Sequence, residues 1–119
     1  MYTTVIKTDE YYSNILNHLG ENVPEFISGF SDEKNIYLTL LEFGQFIIEH
    51  IDDDCIRVKC IHFINNAVEK GENETEDVIV FQVFQQLYEK AEYMNKSKID
   101  MSKKVSTIFD KYYQMYGKL

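Results

Sequence analysis

The chain has 119 residues, enough for one domain around one core, and at 45% hydrophobic and 14% aromatic it is too rich in core formers for a disordered acidic protein. Five Gly and one Pro are too few for the many turns of an all-β sandwich. Twelve basic against twenty acidic residues leave a net charge of −8, which argues against a nucleic-acid partner, because phosphate contacts come from Lys and Arg.

The opening residues, "MYTTVIKTDEYYS", lack the basic-then-apolar layout of a signal peptide. No apolar run approaches the roughly 18 residues of a membrane span. A cytoplasmic protein with no membrane contact is expected. "TDEYYSNILNHLG" predicts a short helix capped by Thr8 and closed by Gly20, with Tyr12, Ile15, Leu16 and Leu19 on one stripe. "ENVPEFISGF" restarts at Pro24 and predicts one or two helical turns before Gly29.

"SDEKNIYLTLLEFGQFIIEHI" predicts a long helix with Ser31 as cap and Asp32 and Glu33 in its first turn. Ile36, Leu40, Phe43 and Ile47 form its stripe, widened by Leu41 and Ile48, and Gly44 marks a close helix crossing. Asp52, Asp53 and Asp54 belong to a turn and to the start of the next helix, because acids favour helix N-termini. That helix carries Ile56, Cys60, Phe63 and Ala67, flanked by Ile64 and Val68, and ends at Gly71. Cys55 and Cys60, five apart, point away from each other on a helix and read as free thiols.

"EKGENETEDVIVFQVF" places five carboxylates in nine residues ahead of a run with strand propensity. Its continuation, "QQLYEKAEYM", consists of helix formers with no break, so the expectation is a buried central helix from Thr75, as cap, to Asn95, with Phe81, Phe84, Tyr88 and Ala91 in step. A strand over Val78 to Phe84 is the competing reading. "SKIDMSKKVSTIFDKYYQMYGKL" predicts a last helix from near Asp100, with Val105, Ile108, Phe109, Tyr112 and Met115 on its stripe and acids compensating Lys103 and Lys104. The expected fold is all-α: one domain over 1–119 with five to six helices, as an antiparallel bundle or a short α-solenoid-like stack.

Chemistry is harder to find. His50, Cys55, Cys60 and His62 lie close in sequence, but on two helices with mismatched facing and without zinc-type spacing. There is no nucleophile elbow, no Gly-rich phosphate loop and no Glu-x-x-His pair. No enzyme activity, catalytic residue, metal site or cofactor is expected. Charge is the stronger signal. Residues 1–95 hold six basic and eighteen acidic groups, a net −12, while 96–119 hold six basic and two acidic, a net +4. Either the two parts neutralise each other in the fold, or the acidic body attracts a basic protein. The candidate contacts are Asp52, Asp53 and Asp54 at one turn and Glu72, Glu74, Glu76 and Asp77 at another, although acids also cap helices and solvate turns. Two such turns fall at opposite ends of an up-down arrangement. Nine tyrosines, including the doublets Tyr11–Tyr12 and Tyr112–Tyr113, leave some rings partly exposed beside carboxylates, a composition typical of interfaces.

The segment "FINNAVEKGENETEDVIVFQVFQQLYE" resembles the helix–acidic turn–helix core of a family of small all-helical bacterial proteins encoded beside polymorphic or contact-dependent toxins. The matching positions are Phe63, Ile64, Asn65, Gly71, Asp77, Val78, Ile79, Phe84 and Leu87; Gln85 stands where the pattern has a carboxylate. The resemblance covers about a quarter of the chain. It implies an immunity protein that neutralises a cognate toxin without catalysis of its own; the acidic, Tyr-bearing surface then points to a basic toxin domain, such as a nuclease. The alternative is a helical adaptor or regulatory subunit of a cytoplasmic complex.

Overall fold

A computed structural model describes residues 9–29 and 35–117; 78% of these are helical and none lies in a strand, which removes the strand alternative for Val78 to Phe84. Helices α1 (Glu10–Ser13) and α2 (Ile15–Asn22) are the first among the described residues. Asp9 caps α1, its Oδ1 accepting the Tyr12 N–H at 3.0 Å; the expected cap, Thr8, lies outside the described residues. Tyr11, not Tyr12, turns into the core beside Ile15 and Leu19. Gly20 does not close α2, which runs on to Asn22 and stops at Val23, held out of the helical region by Pro24 behind it. After Pro24 there is a single turn and no helix. The Phe26 ring instead packs edge-on against Phe43 and Phe46.

Ser31, Asp32 and Glu33 lie outside the described residues, and Asn35 caps α3 (Ile36–Glu49), its Oδ1 accepting the Leu38 N–H. Leu40, Phe43 and Ile47 are fully buried as the stripe requires; Ile36 and Ile48 are half-buried, and Leu41 is exposed on the outer edge. Helix α4 (Asp54–Lys70) follows a tight turn, capped by Asp53, whose Oδ1 accepts the Ile56 N–H, and closed at Gly71. Cys60, Phe63, Ile64, Ala67 and Val68 are buried along it, with Ile61.

Arg57 is buried in the first turn of α4 and fastens the α3–α4 connection. Its Nη1 donates to the Ile51 carbonyl at 2.8 Å, and its Nη2 lies 2.9 Å from Asp54. Arg57→Met is expected to cost about 2 kcal/mol in urea unfolding. It strands the buried Ile51 carbonyl, a loss partly offset by removing a buried charge.

The next rod joins α5 (Asn73–Val78), a π-helical segment (Ile79–Phe84) and α6 (Gln85–Leu87). It starts two residues before Thr75, which is not its cap but a buried member of its first turn. The π-helical turn is wider than an α-turn. Val80, Val83, Phe84 and Leu87 are buried while Phe81 is 44% exposed, so Phe81 leaves the stripe assigned to it. The rod crosses α3 at Gly44, where an added Cβ would meet the Gln86 amide and come within 3.3 Å of the Gln82 carbonyl. This is the close crossing that a mid-helix Gly implies.

A continuous helix to Asn95 does not form. The rod ends at Tyr88, Lys90 is extended, and α7 (Ala91–Lys98) begins afresh, with Ala91 exposed. Tyr88 is anchored where the rod ends, its hydroxyl donating to the Phe109 carbonyl at 2.8 Å. The last helix, α8 (Lys103–Tyr112), starts after Ser102, which caps it, and not near Asp100; it continues as a π-helical turn (Tyr113–Gly117). Val105 and Phe109 are buried, Ile108 and Tyr112 half-buried, and Met115 is 55% exposed. No acid among the described residues pairs with Lys103 or Lys104; the Ser102 cap serves that helix end instead. Asn65 of α4 clamps the α7–α8 corner, donating to the Asp100 carbonyl and accepting the Ser102 N–H, each at 3.0 Å. The described chain thus forms seven helical segments, slightly more than the five to six expected, because the rod and α7 are separate and α1 and α2 are offset. Among the described residues no helix is long and apolar enough to cross a membrane.

Candidate interaction surface

The two acidic turns sit at opposite ends of α4, whose 17 residues span about 25 Å. Their carboxylates differ in what they do. Asp52 forms an ion pair with Lys96 of α7. Asp53 caps α4, and Asp54 pairs with Arg57. All three side chains of this turn are therefore engaged, and the basic segment neutralises part of the charge here.

At the other end, the Glu72 backbone N–H donates to Asp9 Oδ2 at 3.0 Å. The carboxylates of Glu72, Glu74, Glu76 and Asp77 make no hydrogen bond or ion pair among the described residues. Glu74 and Glu76 lie in the first turn of α5 and Glu72 is its N-cap residue, where the helix dipole favours them, and Asp77 follows in the next turn. Asp9 lies beneath them, 4% exposed, and also accepts from the Thr75 N–H at 2.9 Å and the Thr75 hydroxyl at 2.8 Å. Burial by itself would raise the Asp9 pKa; the donors from Tyr12, Thr75 and Glu72 outweigh it and hold the carboxyl below its ordinary value.

Next to this turn lies an aromatic cluster. The Phe81 ring meets Tyr112 at 6.2 Å and Tyr116 at 5.8 Å, and Tyr112 stacks on Tyr116 at 6.0 Å. The Tyr112 hydroxyl is pushed up by burial and then by the charges of Glu76 and Asp77, which places both acids within electrostatic reach of the cluster. Lys111 lies over the Tyr112 ring at 5.3 Å. Tyr116 also borders a cleft of about 350 Å³ lined by Gln85, Tyr88, Glu89 and Gly117. The Gln85 amide nitrogen is buried and without a partner among the described residues. Phe81, Met115 and Tyr116 were not among the candidate contacts. The available clue was the run Val78 to Phe84, which holds more apolar side chains than one face of a helix can bury.

The other reactive side chains are dispersed or inert. Cys55 is exposed and Cys60 buried, both free, and burial pushes the Cys60 thiol up to about 12, far from a nucleophile's range. His50 donates through Nδ1 to the Phe46 carbonyl at 2.9 Å, and His62 is exposed on α4. Among the described residues no group of three or more His, Cys, Asp or Glu side chains is placed to hold a metal ion.

No protein-family model matches this sequence, and no curated protein or solved structure is similar enough to it to indicate a relative.

Proposed function

We propose that the chain is a non-catalytic binding protein of the immunity type, which docks on a basic protein toxin and blocks it from the cytoplasm of the producing bacterium. The observation that carries this reading is the set of uncommitted carboxylates at Glu72, Glu74, Glu76 and Asp77 on a body whose first 95 residues carry net −12. Four like charges within six residues at the start of α5 repel one another, and a cationic partner relieves that repulsion. The resemblance of 63–89 to the helix–acidic turn–helix core of toxin-linked proteins supports the same reading. We take the packing as a bundle, since α8 returns to α4 and to the π-helical segment, where a solenoid repeat would touch only its neighbours.

Co-expression with the product of the adjacent reading frame tests it. Rescue from toxicity together with co-purification supports the immunity reading; co-purification with a non-toxic product favours the adaptor. Against the purified partner, the triple reversal Glu72→Lys, Glu74→Lys and Glu76→Lys is expected to slow association about tenfold at low salt and to flatten its salt dependence in stopped-flow measurements. An unchanged rate constant would remove this turn from the interface.

A further inference from the structure

We propose that the exposed aromatic surface formed by Phe81, Tyr112 and Tyr116, with Met115 beside it, is the anchor at which the basic partner protein docks, while Glu76 and Asp77 receive its cations. This deepens the reading above and rests on it. Phe81 is 44%, Tyr116 40% and Met115 55% exposed, Phe81 on a segment whose other side buries Ile79, Val80, Val83 and Phe84. Nothing in core packing asks for two large exposed rings, Phe81 and Tyr116, in contact with each other in water. Phe81 lies within the π-helical turn Ile79–Phe84, and such turns recur at functional sites. A second π-helical turn, Tyr113–Gly117, carries Met115 and Tyr116.

Charge identifies the occupant. Asp77 stands one helical turn before Phe81, and it and Glu76 make no ion pair within the described chain, whereas Asp52 and Asp54 at the far end are already neutralised by Lys96 and Arg57. An arginine-bearing surface satisfies both features, because a guanidinium stacks on an aromatic face and pairs with a carboxylate at its edge. Lys111 already covers the Tyr112 ring, which leaves Phe81 and Tyr116 to the partner. Aromatic anchors ringed by charge are where binding energy concentrates in protein interfaces.

The test uses the full chain and the protein encoded by the adjacent reading frame, titrated calorimetrically. Phe81→Ala and Tyr116→Ala are each expected to weaken binding tenfold or more; thermal melts within a few degrees of the parent check that both variants fold. The paired control Asp52→Asn with Asp54→Asn is expected to change binding by less than threefold. If the parent binds and both aromatic variants lose less than tenfold, the anchor is overturned and the immunity reading stands. If the parent does not bind, both readings fall. Should sedimentation show the free parent to be a dimer that Phe81→Ala converts to a monomer, the surface closes on a second copy and the proposal is likewise overturned.

Discussion

Replacing Asp9 with Ala is expected to remove about 4 kcal/mol of stability at neutral pH. One carboxylate accepts four donors from two helix starts: the Tyr12 N–H in α1, and the Glu72 N–H, Thr75 N–H and Thr75 hydroxyl around α5. Loss of the α1 cap alone costs about 1 kcal/mol. Each buried donor left without a partner adds about 1–3 kcal/mol, at the lower end where water can enter the vacated space. The melting temperature should fall by about 15 °C, at about 4 °C per kcal/mol for a chain of this size. Asp9→Asn keeps one acceptor but turns an amide toward donors, so it is expected to recover little. The effect has a pH signature. The Asp9 pKa is lowered in the folded protein from an ordinary value of 3.8, so its contribution is complete above that value and is lost as pH falls through the folded pKa. Urea unfolding at pH 7 and near pH 3 should show the gap between parent and Asp9→Ala narrowing in acid. A constant gap would mean that the carboxylate is not the acceptor.

Gly44→Val is expected to cost about 3–5 kcal/mol. Helix α3 crosses the π-helical rod here without a side chain between the backbones, and the Gln82 carbonyl lies 3.3 Å from where a Cβ would stand. Gln86 occupies the remaining space, donating to the Leu41 carbonyl at 2.7 Å and to the Gln82 carbonyl at 2.8 Å while it accepts from Gln45. A β-branched residue expels that amide from both of its carbonyl partners and adds overpacking of about 1–3 kcal/mol. Gly44→Ala should cost less, about 1–2 kcal/mol, because it regains about 1 kcal/mol of helix propensity. Thermal melts of the two variants should rank Ala above Val; stabilisation by Ala would mean the crossing is looser than the geometry implies.

What the sequence made legible was local. The Leu40, Phe43, Ile47 stripe, the Asp53 start and the Gly71 stop of α4 follow from periodicity and from what acids and glycine do at helix ends. The interruption at Tyr88 was not legible, because "QQLYEKAEYM" contains only helix formers and the hydroxyl that fixes Tyr88 reaches a carbonyl 21 residues away. Nor was the role of Asp9, which follows the expected Thr8 cap in the sequence and bonds to residues 63 and 66 positions later. The acidic turns were visible as charge. Which of them was already spent on Lys96 and Arg57 depended on neighbours that only the fold supplies.

The reach of Asp9 also has a consequence in time. On a ribosome adding 5–20 residues per second, roughly 3–13 s separate the appearance of this carboxylate from that of Glu72 and Thr75. Throughout that interval its second oxygen has only water to bind, and the entry helix cannot be seated by its later partners. Helix α1 therefore waits for an element more than sixty positions later before Asp9 can fasten it to the rest of the fold.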